Sequence, residues 1–166
     1  SEMCIRDRKQ KLQLPELPAS QSRVTLLRSS ENVDYTQGVF ILNEDWFGHN
    51  NSTINFMTSS GDFAYKIFQT ANPGKELGCT SQFGTIFGDN MFITSKQPKD
   101  GGASIEGGRL NVVDAKTMKV KAQFTDIGGG DGRAFLGVND SVGYIGASNG
   151  IFLFDIKNLT VGDQLK

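Results

Sequence analysis

Short apolar runs divided by turn residues set the pattern of this chain from Gly38 onward. The runs are rich in β-branched and aromatic side chains and are bounded by Gly, Asn, Asp or Ser, the signature of strands joined by turns. The pattern predicts strands at Gly38–Leu42, Thr53–Thr58, Ala64–Gln69, Phe83–Phe87, Met91–Ser95, Arg109–Asp114, Lys119–Thr125, Ala134–Val138, Val142–Ala147 and Ile151–Asp155. No stretch keeps a 3.6-residue period over three turns, so helices should be few. Phe40-Ile-Leu42 and Ile151-Phe-Leu-Phe154 are apolar at successive positions. Strands of that kind sit between two packed layers.

The strands repeat as a group. Arg109-Leu-Asn-Val-Val-Asp-Ala-Lys-Thr-Met118 matches Gly150-Ile-Phe-Leu-Phe-Asp-Ile-Lys-Asn-Leu159, with Asp114 over Asp155 and Lys116 over Lys157. Ser52–Gly61 is a looser third copy, and Thr85–Thr94 pairs with Leu136–Ile145 ahead of two of them. The two aspartates are 41 residues apart, close to the ~40–45 residues of a four-stranded propeller blade. The fold expected is all-β: a β-propeller fragment of about three antiparallel four-stranded blades, at about 35–80, 81–132 and 133–166, forming an open arc. The first blade lacks its first strand. A ring of 4–8 blades of that size is longer than this chain, so the chain reads as part of a larger receptor. An open arc exposes two sheet faces that normally pack on neighbours.

Composition narrows the function classes. Lys+Arg is 17 against Asp+Glu 18, and without a basic excess no nucleic-acid partner is expected. No apolar run reaches the ~18 residues of a membrane span. Glycine is plentiful at 20 residues, but 12 Phe, 3 Tyr and 1 Trp exclude a disordered chain. Ser1–Arg8, SEMCIRDR, reads as translated adapter sequence and is set aside with its Cys4. Residues 9–34 read as a polar lead-in around a short strand at Val24–Arg28. The remaining thiol, Cys79, cannot form an internal disulfide, so cysteine usage does not report a redox compartment.

Residues 108–120, Gly-Arg-Leu-Asn-Val-Val-Asp-Ala-Lys-Thr-Met-Lys-Val, resemble the strand–turn–strand of the YVTN/YncE-like β-propellers. The phrase Gly38-Val-Phe-Ile-Leu-Asn-Glu-Asp-Trp-Phe-Gly48 with its Asn/Ser-rich sequel resembles the first blade of surface propeller lipoproteins of gut Bacteroidota. The resemblance covers about residues 35–160. It implies a non-enzymatic, ligand-binding propeller at the cell surface or outer membrane, or alternatively in the periplasm, with membrane attachment only through an N-terminal lipid anchor. Some members of the group capture cobalamin for an outer-membrane transporter, which makes cobalamin or a similar small molecule the expected ligand and the transporter the expected partner.

The connections alternate between tight turns and long loops. Asn43–Ser52, Thr70–Gln82, Lys96–Gly108 and Asp126–Arg133 are the long ones, and alternation puts them at one end of the sheets. Recognition usually sits on loops held by a rigid scaffold, so that end is the expected binding face. The candidate ligand-binding residues are Trp46, His49, Asn50, Gln82, Lys96 and Arg133. Trp46 offers a stacking platform in a polar loop, while Gln82 and Arg133 start the inner strands of successive blades. His49 is the only histidine and lacks a second ligand at metal-binding spacing, so no metal site is expected. The glycines of Asp126–Arg133 lack the ending of a phosphate-binding loop and suit a sharp crossing between blades. No nucleophile–base pair can be assembled, so no catalytic residue is assigned and no cofactor is expected. Two rival readings remain: a scaffold propeller that binds a protein or glycan, and an enzyme of the lyase or quinoprotein kind.

Overall fold

Strand formation follows the apolar pattern closely, and the pairing shows why. The structure, a computed structural model, describes residues 33–45 and 51–166; Val24–Arg28 lies outside them. The first sheet holds β1 (Gly38–Asn43), β2 (Thr53–Thr58) and β3 (Phe63–Ala64) in that order. The second holds β4 (Cys79–Phe87), β5 (Asn90–Gln97), β6 (Leu110–Asp114) and β7 (Val120–Phe124). The third holds β8 (Gly132–Gly137), β9 (Val142–Ala147), β10 (Gly150–Asp155) and β11 (Thr160–Gln164). Each sheet is an antiparallel meander. This is the three-bladed open arc of a β-propeller.

β4 and β8, the first strands of their sheets, lie against each other, and β8 also packs across β5. β1 packs on β4 just as β5 does on β8, and its long connection to β2 matches that between β5 and β6. β1 is therefore a second strand, and the inner place of the first blade is unfilled among the described residues.

Two apolar clusters glue the blades. Between the first and second lie Ile54, Phe56, Phe68, Leu77, Met91, Ile93 and Met118. Between the second and third, Phe92 stacks on Phe135 with ring centroids 3.8 Å apart and planes 6° apart. Phe154 meets both rings edge-on.

One strand expectation is corrected. Residues 64–69 do not continue as a strand: β3 ends at Ala64, Lys66 turns into the left-handed region at φ 50°, and Ile67–Ala71 forms a single helical turn, α1. Ile67 and Phe68 are adjacent and both buried, which a strand, with neighbouring side chains on opposite faces, would not allow against one neighbour. Asn72 then stops α1, donating to the carbonyls of Phe68 and Met118 and accepting from the Val120 amide at 2.9 Å.

β4 also begins earlier than the apolar pattern suggests. Cys79–Gln82 is polar, yet Cys79 pairs with Gln97 and Ser81 with Ser95. The hydroxyls of Ser81 and Ser95 meet at 2.6 Å inside the protein, so a buried strand is built on side-chain hydrogen bonds.

The repeated aspartates are turn clamps. Asp114 Oδ1 accepts the amides of Lys116 and Thr117 at 2.8 and 3.0 Å. Asp155 accepts the Asn158 amide at 2.9 Å and its side-chain amide at 2.8 Å. Four residues after each aspartate, Met118 and Leu159 adopt left-handed backbone at φ 62° and 53°. That conformation is costly for a side chain with a Cβ; burial of Met118 in one cluster, and packing of Leu159 on the other, offset it.

Asn111, fully buried on β6, ties the blade to its approaching loop. Its Nδ2 reaches the carbonyls of Leu77 at 2.8 Å and Gly108 at 3.0 Å, and its Oδ1 accepts Gln123 Nε2 at 2.9 Å. Replacing Asn111 with Leu should cost about 2 kcal/mol, read by denaturant unfolding, because it takes the side-chain donor from the Gly108 carbonyl and removes one bond each from the Leu77 carbonyl and the Gln123 amide. The clamps carry a pH signature. Burial pushes the Asp114 carboxyl up, but the Lys116 and Thr117 amides and Lys121 outweigh it and leave it below 3.8. The Asn158 amides hold Asp155 below 3.8 as well. Their contribution is complete above that value and is lost as pH falls through the lowered folded-state values. The D114N/D155N variant should therefore show a shallower loss of Tm than the parent on acidification from about pH 4 to 2.

Candidate functional site

Alternation of connections does gather the long loops at one end: β1–β2, β3–β4, β5–β6 and β7–β8 all join there, together with the short β9–β10 turn. Among the first three, a cleft of about 320 Å³ opens, lined by Asp45, Asn51, Thr53, Lys66, Gln69, Glu76 and residues 102–104. A volume of that size suits a small ligand or one edge of a larger one.

The loops reach this cleft because glycine lets their backbones touch. A Cβ on Gly107 would stand 2.1 Å from the Gly78 nitrogen and 2.4 Å from the Leu77 carbonyl carbon. At that approach the Gly108 amide donates to the Leu77 carbonyl at 3.0 Å. The 65–78 and 98–109 connections are thereby joined at their bases.

Hydrogen bonds hold the polar walls of the cleft. Gln69, on α1, donates to the Ser52 carbonyl at 3.1 Å and to Glu76 Oε2 at 2.9 Å, while its Oε1 has no partner among the described residues. Glu76 is held from behind, since Gln123 Nε2 donates to its carbonyl at 2.7 Å. Asp45, with left-handed backbone at φ 62°, accepts the Thr53 hydroxyl at 2.8 Å. The Lys66 backbone amide is fixed on Asn55 Oδ1 at 2.9 Å. Asn51 accepts the Cys79 thiol at 3.3 Å and donates to the Ile105 carbonyl at 3.4 Å. Two carboxylates, one ammonium and two carboxamides make a wall of mixed charge, suited to a neutral ligand with many hydrogen-bonding groups.

Behind this wall lies Cys79, fully buried. Burial first, then the negative charges of Asp100 and Glu76, push its thiol up to about 11. Asp100 is itself buried, accepting Gln97 Nε2 at 2.6 Å.

Of the residues expected from sequence to bind ligand, Trp46, His49 and Asn50 lie outside the described residues. Gln82 is exposed on β4 and donates to Glu44 Oε1 at 3.1 Å. Lys96 is half-buried on β5, and its carbonyl accepts Arg109 Nε at 3.2 Å. Arg133 is exposed on β8 and pairs with Asp131 at 3.3 Å. None of these three lines the cleft; Gln82 is tied to Glu44, the neighbour of the lining residue Asp45. The wall residues Lys66, Gln69 and Glu76 carry no local motif; Glu76 belongs to the long loop Thr70–Gln82, whereas Lys66 and Gln69 fall in the stretch expected as a strand.

The glycine run of the β7–β8 connection makes the crossing between blades. Gly128 and Gly129 take φ of 55° and 79°, and a Cβ on Gly132 would stand 2.3 Å from the Arg109 carbonyl oxygen. Asp126 accepts the Gly129 amide at 2.9 Å, and Asp131 is taken by Arg133. Among the described residues no three His, Cys, Asp or Glu side chains gather as a metal site.

No curated protein matches this chain in sequence. Among solved structures, it resembles a quinonprotein alcohol dehydrogenase-like protein of Bacteroides thetaiotaomicron at 18% identity and a TM-score of 0.54. The match covers 81% of this chain and 30% of that one, so the chain spans under a third of that protein's length. At such identity the likeness shows the fold alone, and it agrees with the propeller arc described above. A family model described as a domain of unknown function, DUF5074, matches residues 37–166, and the chain belongs to that family.

Proposed function

We propose that this chain is the ligand-holding part of a non-enzymatic propeller that captures a small molecule on its loop end. The observation that carries this reading is the convergence of three long loops on one polar cleft, braced from beneath by buried hydrogen bonds. Loops built that way are held ready for a partner, so ordering costs little of the binding energy. The wall chemistry favours a neutral, amide-bearing ligand. A corrinoid such as cobalamin, whose rim carries carboxamides, offers donors for Asp45 and Glu76 and acceptors for Lys66 and Asn51. The resemblance of the Gly38–Gly48 segment to surface lipoproteins supports the same ligand, a place at the cell surface, and hand-over to an outer-membrane transporter. Against chemistry at this site stands Cys79, the thiol nearest the cleft: with its pKa at about 11 it is protonated at neutral pH and is no nucleophile.

Titration with cyanocobalamin, followed by its visible absorbance, should give a saturable shift. The Lys66→Ala and Glu76→Ala variants should each weaken binding about tenfold, the worth of one hydrogen bond to a charged group. No shift at micromolar ligand with the parent chain overturns the corrinoid reading. The Cys79 thiol supplies a second check on the architecture of the wall. Maleimide labelling at neutral pH, read by peptide mapping, should leave the Cys79 peptide unmodified in the native chain and label it at once in guanidinium. Rapid native labelling would mean that the wall is open where it is described as closed.

A further inference from the structure

The strands β4 and β8 carry the same irregularity at the same place. On β4, Ser81 pairs with Ser95 and Phe83 with Thr94, so Gln82 is an extra residue set against two consecutive partners. On β8, Gly132 pairs with Ala147 and Ala134 with Gly146, which makes Arg133 the extra residue. The ladders show that the two bulges are equivalent. Asn90 pairs with Asp114 and Val142 with Asp155, the repeated turn aspartates. Counting along β5 and β9 from there sets Thr94 and Ser95 over Gly146 and Ala147.

A bulge interrupts its ladder, and what it gains is a side chain aimed away from the regular faces of the sheet. Both extra side chains are exposed, while Ser81 and Gly132 just before them are buried. Each is coupled to an acid at the loop end. Gln82 Nε2 donates to Glu44 Oε1 at 3.1 Å, and Arg133 Nη2 donates to Asp131 Oδ2 at 3.3 Å. β4 and β8 lie against each other, so the two couples stand on adjacent strands. Glu44 joins them to the cleft, being next in the chain to the lining residue Asp45. One backbone device thus offers a donor beside a carboxylate in both blades, with the donor free to differ.

A primary carboxamide fits such a couple, because its oxygen accepts from the guanidinium while its NH2 donates to the carboxylate. A ligand carboxylate in that place would face Asp131, and an amine would face Arg133, each with like charge. Two acids, Glu44 and Asp131, stand against the single cation Arg133, so the couples do not favour an anion. We propose that the bulges present Gln82 and Arg133 as specificity-determining residues for a ligand that extends beyond the cleft, with the Arg133–Asp131 couple reading one of its primary carboxamides and rejecting a carboxylate there. The inference rests on the reading of the cleft as the seat of a carboxamide-bearing ligand. The cleft, at about 320 Å³, takes one edge of a corrinoid, and the bulges lie where the rest of such a ligand would find polar partners.

The test titrates cyanocobalamin, and its isomers with one peripheral carboxamide hydrolysed to the carboxylate, into the parent chain and the Arg133→Ala, Asp131→Asn and Lys66→Ala variants. Binding is followed by visible absorbance. Arg133→Ala should weaken cyanocobalamin about tenfold, as loss of one charge-assisted hydrogen bond does. The parent should hold at least one isomer about tenfold more weakly than the intact ligand, and Asp131→Asn should close that gap to within about threefold by removing the opposing charge. A purely structural effect of Asp131→Asn would weaken the intact ligand and the isomers alike. Unchanged affinity in Arg133→Ala, or a gap that Asp131→Asn leaves as it was, overturns the inference. Weakened binding in Lys66→Ala beside either result shows that the reading of the cleft stands without it. No shift with the parent chain overturns that reading and this inference together.

Discussion

The amide of Asn111 is the contact on which the loop end of this arc depends. A loop that crosses the top of a sheet brings carbonyls into a region without water, and each must find a donor. The Gly108 carbonyl takes its donor from Asn111 Nδ2, and the Leu77 carbonyl takes one there beside the Gly108 amide, while Asn111 Oδ1 is satisfied by Gln123. Gln123 then reaches on to the Glu76 carbonyl. The cleft wall is therefore hung from the second blade by two linked carboxamides, the buried Asn111 and the half-buried Gln123. A buried polar network of this sort is stable only when complete. It also fixes geometry in a way apolar packing cannot, because the donors and acceptors accept a single arrangement.

Register puts Asn55 and Phe152 in the other blades at the position of Asn111. Asn55 serves the same end in smaller form, accepting the Lys66 amide as the chain enters α1. Phe152 stands on a strand entered through only a short turn, Ser148-Asn149, and there the position reverts to core. The choice between Asn and Phe at one repeat position thus tracks whether a long loop must be anchored above it. The aspartate clamps are the opposite case. They lie at the tight-turn end, where every blade needs the same reversal, and the second and third blades keep the aspartate and the lysine two residues on at the same places.

Much of this was legible in the residues. Strand positions from Gly38 to Asp155, the repeat and the gathering of long loops at one end follow from apolar periodicity and turn chemistry. What escaped did so for physical reasons. Ala64–Gln69 alternates well enough to pass for a strand, yet Lys66 turns left-handed and Ile67 and Phe68 bury side by side. Cys79–Gln82 passes for a loop because a threonine, a serine and a glutamine stand where apolar chains are usual, although Cys79, Thr80 and Ser81 are buried and Cys79 and Ser81 pair across the ladder. The cleft was legible only as an end of the molecule. Its walls come from Asp45, Gln69, Glu76 and residues 102–104, brought together by crossings that no local spacing encodes.

The three blades differ in the loop between their second and third strands, and this difference places the cleft. In the third blade that loop is two residues, Ser148 and Asn149. In the second it runs from Pro98 to Arg109 and needs the Gly107–Gly78 contact to lie down against its neighbour. A repeat of equal blades would present equal, shallow ends. Lengthening one loop, giving it glycines for close approach and changing one core position beneath it to Asn makes a wall on one side of an otherwise regular scaffold. The strands around that wall keep the apolar faces that hold blade to blade. Recognition can therefore vary in the loops with little change in the packing that supports them.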